Sequence, residues 1–223
     1  MKQLVVISGK GGTGKTVITA AFAALAKNKV MADCDVDAAD LHILLMPEII
    51  ERHDFSGGRT AIIDKTKCNN CGTCISQCRF EAISEETFTV DPISCEGCGV
   101  CFRVCPKGAI SMENNKSGEW FISSTPYGPF VHARLGIAEE NSGKLVAVVR
   151  QNAKLIAGKE KRDLIIIDGP PGIGCPVISS ISGTDAVLVV TEPTLSGVHD
   201  MKRVLELAGH FRTKSLLSLI NTI

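Results

Sequence analysis

The sequence of 223 residues lacks both a net charge and a long apolar run. Lys and Arg together number 24, and Asp and Glu also number 24, so it has none of the basic excess that is typical of nucleic-acid binders. The N-terminal apolar run, 4–7, is too short for a signal peptide, and no stretch reaches the roughly 18 apolar residues of a spanning helix. We therefore expect no nucleic-acid partner and no membrane segment, and we predict a cytoplasmic protein.

The cysteines are abundant: the chain has ten. In a reducing compartment such a number indicates metal binding rather than disulfides. Eight of them form two runs inside an internal repeat, because 67–83 resembles 94–110 at an offset of 27 residues (68 to 95). Each run has the spacing C-x₂-C-x₂-C-x₃-C, and the repeat indicates duplication of one small unit.

This spacing predicts two [4Fe–4S] clusters. Three closely spaced thiolates hold three corners of a cubane, and the fourth cysteine of each run ligates the other cluster. We expect one cluster on Cys68, Cys71, Cys74 and Cys105, and the other on Cys95, Cys98, Cys101 and Cys78. The alternative is zinc held by C-x₂-C pairs, but the repeated C-x₂-C-x₂-C-x₃-C spacing favours iron–sulfur clusters. The module resembles bacterial two-cluster ferredoxins.

Two cysteines lie outside the module. Cys34 is most simply a small buried residue. For Cys175 two interpretations stay open, a small buried residue or a thiol at a dimer interface that could touch a metal centre.

The rest of the chain alternates short apolar runs with helical segments, which predicts an α/β fold with a doubly wound parallel sheet. We expect strands at 3–8, 30–34, 164–167, 186–190 and 215–220, and helices at 16–27, 38–45, 145–157 and 196–208. We expect one P-loop domain formed by 1–57 and 116–223, interrupted by a small inserted α+β ferredoxin-like domain at 58–115.

Residues 9–16, GKGGTGKT, match the phosphate-binding pattern G-x-x-x-x-G-K-[ST] between a predicted strand and a predicted helix. Backbone N–H groups of such a loop converge on phosphate oxygens, and the following helix N-terminus adds a positive dipole. The candidate nucleotide ligands are Gly9, Lys10, Gly11, Gly12, Thr13, Gly14, Lys15 and Thr16. We expect Lys15 to reach the β- and γ-phosphates of ATP and the Thr16 hydroxyl to bind Mg²⁺.

Asp168 directly follows the 164–167 strand and precedes Gly-Pro-Pro-Gly. A carboxylate at the C-terminal end of a strand, beside the phosphate loop, is well placed to hold Mg²⁺ through water. The Gly-Pro-Pro-Gly run suits a segment with two backbone states that responds to the γ-phosphate.

The loop with its early Lys10, together with DGPPG at 168–172, resembles the deviant Walker A and switch II of the MinD, ParA and nitrogenase iron-protein family. The resemblance implies a homodimer in which Lys10 contacts the nucleotide of the partner subunit. It implies that Asp35 positions the attacking water and that Asn221 lies at the adenine site, although Thr222 stands where members carry Lys.

The combination of these motifs with the cysteine module resembles the subgroup that carries an inserted ferredoxin domain, some members of which are labelled cobyrinic acid a,c-diamide synthase-like on the nucleotide domain alone. We see no glutamine-amidotransferase half and do not predict that activity.

Three functional hypotheses follow. The first is hydrolysis of MgATP by Lys10, Lys15, Asp35 and Asp168, coupled through a nucleotide-driven dimer to electron transfer with a redox partner. The second is a carrier or assembly ATPase that delivers iron–sulfur or another metal to an apo-metalloprotein client. The third is a MinD-type positioning ATPase whose clusters sense redox state.

Overall fold

The computed structural model describes residues 1–136 and 142–220. In these ranges the strands are β1 Lys2–Ser8, β2 Lys29–Asp33, β3 Glu48–Phe55, β4 Gly58–Ile63, β5 Ile110–Asn115, β6 Gly118–Thr125, β7 Gly128–Leu135, β8 Leu164–Pro171, β9 Ala186–Thr191 and β10 Lys214–Leu219. The helices are α1 Lys15–Leu25, α2 Leu41–Leu45, α3 Thr73–Ser76, α4 Val100–Val104, α5 Ser142–Lys159, α6 Cys175–Ile181 and α7 Leu195–His210. None of the helices in the described ranges has the length and apolarity needed to cross a bilayer.

Within the described residues the main sheet has eight strands, in the order β10-β9-β1-β8-β2-β7-β6-β3. The first six in this order pair in parallel with their neighbours. A separate two-stranded sheet pairs β4 with β5 in antiparallel register. The predicted α/β class with a doubly wound, mainly parallel sheet is confirmed.

The central strands are apolar because both of their faces are covered. Val5, Val6 and Ile7 of β1 have no exposed surface. On one face, α1 and α2 pack with Met31, Phe130 and Ile166. Side chains alternate between the two faces of a strand, so the neighbours of Ile166 in β8 face the opposite side, where α5 and α6 contact the sheet.

The sequence does not predict the β3–β6–β7 end of the sheet, because its strands carry charged and polar residues. Glu119 of β6 explains part of this composition. It is buried and accepts hydrogen bonds from Arg52 Nη2 at 2.5 Å and from Arg134 Nη2 at 2.9 Å. Pairing of this kind offsets the cost of burying a carboxylate.

The chain divides into two compact units. The first contains Met1–His53, Glu119–Leu135 and 142–220, and the second contains Asp54–Gly118 with Gly136. The insertion expected at 58–115 falls within the second unit. Its small core includes Ile83 and Ile110, which occupy equivalent positions of the 27-residue repeat (83 to 110).

His132 of β7 is buried among aromatic rings. Its ring stacks on Phe130 and Phe121, with ring centroids 4.6 and 4.9 Å apart. Its Nε2 lies 3.0 Å from the hydroxyl of Ser123. Burial and then the nearby His42 lower the pKa of His132 from 6.5 to about 4. The folded protein therefore holds this imidazole neutral.

We expect this neutral histidine to make the free energy of unfolding depend on pH. Because the pKa of His132 is lower in the folded state than in the unfolded state, the neutral imidazole contributes fully to the stability of the fold above pH 6.5. This contribution is lost as the pH falls towards about 4. The loss amounts to about 3 kcal/mol, since one pKa unit corresponds to about 1.36 kcal/mol. The check is to compare denaturant unfolding of the wild type with that of His132→Gln across this pH range. A His132 that titrates near its ordinary pKa in an NMR experiment would contradict the account.

Candidate functional site

The phosphate loop and the candidate acids lie at one edge of the main sheet. β8 lies between β1 and β2 in the parallel sheet, and the carboxyl ends of all three strands meet there. The loop connects β1 to α1, Asp168 lies on β8, and Asp35 follows β2. Residues that are far apart in the sequence are thereby brought together.

Lys15 lies between two of these acids. Its Nζ is 2.9 Å from Asp35 Oδ2 and 3.4 Å from Asp168 Oδ1, and all three residues are buried. Burial alone would lower the pKa of Lys15, but Asp168 and Asp35 outweigh it, so the pKa is raised. Lys15 therefore remains an ammonium ion that bridges both carboxylates.

Asp168 has one oxygen with partners and one without. Its Oδ1 accepts a hydrogen bond from the Thr19 hydroxyl at 3.0 Å, and Oδ2 is buried with no hydrogen-bond partner among the described residues. Burial raises the pKa of Asp168, against the opposing effects of Lys15, Thr16 and Thr19. An unpaired buried carboxylate oxygen is costly, and Mg²⁺ prefers oxygen ligands of this kind. The site therefore fits a Mg²⁺ ion beside Thr16.

Asp33 shapes the segment that presents Asp35. It is fully buried, and its carboxylate accepts hydrogen bonds from the backbone N–H of Asp35 at 3.1 Å and of Leu41 at 3.3 Å. Burial and then Asp168 raise the pKa of Asp33 well above its ordinary value. We assign Asp33 a positioning role, while Asp35 faces Lys15.

The glycines make the loop a cradle. Gly12 and Gly14 have φ angles of 80° and 79°, in the left-handed region that favours glycine. A Cβ atom at Gly11 or Gly12 would meet no atom within 4 Å. Directly after this open space the N-terminus of α1 begins at Lys15, and together these features fit a phosphate group.

Lys10 lies apart from the group around Lys15. Its Nζ forms an ion pair with Glu192 Oε2 at 3.0 Å, and its side chain is partly exposed. Glu192 is not among the site residues that the sequence predicts. The predicted adenine-site residue Asn221 lies outside the described residues.

Thr19 is also a contact that the sequence analysis missed. A signal was available, because Thr19 follows Lys15 by four positions, and residues at this spacing share one face of a helix. The face that carries Lys15 towards Asp168 therefore carries the Thr19 hydroxyl as well.

The eight module cysteines line two pockets of the second unit. One pocket, of about 360 Å³, is lined by Cys78, Cys95, Cys98 and Cys101. The other, of about 320 Å³, is lined by Cys68, Cys71, Cys74 and Cys105. Each pocket therefore combines three cysteines of one run with the fourth of the other. In the described parts of the chain, no three His, Cys, Asp or Glu side chains are close enough to hold a single metal ion.

Equivalent positions of the repeat give the two pockets different surroundings. In the Cys68 pocket, the Thr73 hydroxyl lies 3.4 Å from Cys71 Sγ, and it lowers the pKa of this thiol, with a smaller contribution from Lys107. In the Cys95 pocket, Val100 and Phe80 stand at the positions of Thr73 and Lys107.

Burial raises the pKa of two further thiols, Cys74 and Cys101, one in each pocket. These thiols would ionise on binding a metal, and the soft thiolate sets suit iron–sulfur clusters.

The two remaining cysteines differ in exposure. Cys34 is fully buried, and burial together with Asp33 raises its pKa far above the ordinary value, as expected for a small core residue. Cys175 is exposed at the start of α6, so of its two interpretations the buried one is excluded.

The packing of the phosphate loop predicts a difference between two of its glycines. A Cβ atom at Gly9 would lie 2.4 Å from Asp200 Cβ and 2.8 Å from the Asp200 carbonyl carbon, whereas Gly11 has open space. We expect Gly9→Ala to lower the free energy of unfolding by about 1–3 kcal/mol through overpacking. The matched Gly11→Ala should change it by less than about 0.5 kcal/mol. Thermal unfolding of both variants is the measurement, and equal stabilities would show that α7 does not pack against the loop.

A family model and two relatives match this chain in sequence. The family model described as a 4Fe-4S dicluster domain matches residues 61–112. The uncharacterized protein MJ0578 of Methanocaldococcus jannaschii is 37% identical over 224 residues, covering 96% of this chain and 76% of that protein. The uncharacterized protein MJ0579 of the same organism is 25% identical over 211 residues, covering 92% and 75% respectively.

Several solved structures share the parallel-sheet fold of the first unit. The MinD cell division protein of Aquifex aeolicus superposes with a TM-score of 0.52 at 18% identity, covering 98% of this chain and 69% of that chain. The septum site-determining protein MinD from Pyrococcus horikoshii, complexed with Mg-ADP, gives 0.51 at 17% identity, with the same coverages of 98% and 69%. The kinase domain of the Escherichia coli tyrosine kinase ETK gives 0.54 at 14% identity, covering 100% and 68%.

At these identities the solved structures establish the fold, and the relative MJ0578 establishes the family. This chain therefore belongs to the MJ0578 family, and it combines a P-loop domain of the MinD/ParA fold with a 4Fe-4S dicluster domain.

Proposed function

We propose that the chain binds and hydrolyses MgATP as a nucleotide-dependent homodimer and couples this cycle to electron transfer through two [4Fe–4S] clusters. The observation that carries the proposal is the convergence of Lys15, Asp35 and Asp168 beside an open glycine loop. The Pyrococcus horikoshii MinD structure, which shares the fold, is a complex with Mg-ADP, and this supports a magnesium nucleotide as the ligand of this chain.

The proposed roles follow from the contacts. Lys15 would turn from its two carboxylates to the phosphates that the loop cradles, because both are anionic partners for its ammonium. Asp168 Oδ2 and the Thr16 hydroxyl would hold Mg²⁺, which neutralises phosphate charge. Asp35, released from Lys15, would orient the attacking water. Thr19 keeps the Asp168 carboxylate in place.

Lys10 is the proposed link between subunits. Its ion pair with Glu192 is partly exposed, and such pairs contribute about 0–1 kcal/mol, so Lys10 can leave Glu192 at little cost. In the dimer it would contact the nucleotide of the partner subunit. This role rests on the resemblance of the loop to the deviant Walker A sequence.

The cysteine pockets favour electron transfer over cluster delivery. Each pocket has four cysteines and draws them from both runs, so a cluster in either pocket would have a protein thiolate for every iron. Such closed ligand sets retain a cluster, whereas delivery requires ligands that exchange readily. Bound in this way, the clusters would supply one-electron carriers to the chain.

The two loop lysines provide a matched test. Lys15→Ala should reduce ATP hydrolysis by about 100-fold or more. It should also lower the free energy of unfolding by about 3–5 kcal/mol, because buried Asp35 and Asp168 lose their cation. Lys10→Ala should abolish dimerisation with ATP while leaving stability within about 1 kcal/mol.

The measurements are ATP turnover, denaturant unfolding and light scattering of the purified protein with and without MgATP. Iron content serves as the control and should match the wild type in both variants. Full ATPase activity in Lys15→Ala would contradict the proposal, and so would ATP-dependent dimers of Lys10→Ala.

Paired substitutions test the crossed arrangement of the cysteines. If Cys71 and Cys105 hold one cluster, Cys71→Ala/Cys105→Ala should retain about four irons in the other cluster. Cys71→Ala/Cys78→Ala should lose both clusters, because it removes one ligand from each pocket. Iron and sulfide analysis of anaerobic preparations gives the answer. The reverse result would show that each run holds its own cluster.

A further inference from the structure

A groove of about 850 Å³ runs beside the Cys95 pocket in the second unit, and no step of the proposed ATP cycle uses it. Its lining includes Arg59 of β4, Phe102 and Arg103 of α4, Met112 of β5, and Cys98. Phe102 is 51% exposed, and Cys98 is exposed as well. The groove therefore offers an apolar surface and two guanidinium groups next to one cysteine of a cluster pocket.

The backbone fixes Arg59 beside the cysteine loop. Gly97 has a φ angle of 62°, and a Cβ atom there would lie 2.1 Å from the Arg59 carbonyl oxygen. Only glycine permits this close approach of β4 to the loop between Cys95 and Cys98. Arg59 is consequently held at the groove by backbone packing.

The lining of the groove contains two arginines and no acidic residue. Among the described residues neither Arg59 nor Arg103 forms an ion pair, and both are exposed. The acid nearest to Cys95 in the sequence, Glu96, lines the cysteine pocket and not the groove. Two guanidinium groups therefore face solvent without an acidic partner in the same groove.

The repeat shows that holding cysteines does not require this surface. At an offset of 27 residues, Arg103 corresponds to Ser76 and Phe102 to Ile75 (103 to 76, 102 to 75). The first half of the module presents its cysteines without the arginine or the phenylalanine. The arginine and the phenylalanine of the groove therefore belong to the second half of the repeat.

We propose that this groove docks the acidic surface of a protein that carries single electrons. The inference rests on the proposed function and names the class of partner and the place where it binds. Aromatic and arginine side chains are the residue types enriched in protein interfaces, and charge complementarity guides encounter. A partner seated on Arg59, Phe102 and Arg103 would lie against exposed Cys98, which is a short path to the Cys95 pocket.

The test measures binding of a flavodoxin, an acidic flavin-containing electron carrier, to the anaerobic iron-loaded protein at low ionic strength. Fluorescence anisotropy gives the dissociation constant. Arg59→Ser/Arg103→Ser should weaken binding about tenfold or more, and added salt should weaken wild-type binding more than that of the variant. Lys107→Ser, which removes a cation at the other pocket, should change the affinity by less than about twofold.

The double variant should keep the iron content and ATP turnover of the wild type, because neither arginine belongs to those sites. If the double variant loses iron, the single variants Arg59→Ser and Arg103→Ser take its place. Three results would each contradict the proposed docking at this groove. They are unchanged binding by the arginine variants, a larger effect of Lys107→Ser, and no salt-sensitive binding by the wild type. None of these results would bear on ATP hydrolysis or on cluster content. A wild-type protein that lacks ATP hydrolysis or the clusters would instead refute the proposed function.

Discussion

The nucleotide site depends on one ammonium group shared by two buried carboxylates. Lys15 lies within 3.4 Å of both Asp35 and Asp168, and Asp33 is buried close by. Two carboxylates, those of Asp35 and Asp168, share one ammonium group in a site from which water is largely excluded. The resulting excess of negative charge is costly unless further cations enter. The arrangement is therefore suited to a magnesium nucleotide, whose metal satisfies the acids while its phosphates take over Lys15.

Local patterns in the sequence predict much of this site. The phosphate loop follows a short apolar strand, and Asp168 ends another, so the parallel-sheet rule brings them to the same edge. The cysteine spacing was equally informative, because the crossed sets expected from the two runs are the sets that line the two pockets. In both cases the chemistry demands a fixed spacing along the chain, and such spacing is visible without a structure.

Other features depend on contacts between distant segments. The polar strands β3 and β6 could not be predicted from apolar runs, because the burial of Glu119 depends on its hydrogen bonds with Arg52 and Arg134. The ion pair of Lys10 with Glu192 joins residues 182 positions apart (10 to 192) and has no local signal. The groove beside Cys98 likewise needs the approach of Arg59 to Gly97, which becomes visible only when β4 is placed.

The central claim is that a site for MgATP and a pair of iron–sulfur clusters act together in one chain. The most direct measurement is electron paramagnetic resonance of the anaerobically purified, reduced protein with and without MgATP. The account predicts signals from two reduced [4Fe–4S] clusters whose line shape or reduction potential changes when the nucleotide is added. Spectra that are identical in both conditions, or a preparation whose eight cysteines hold zinc, would contradict it.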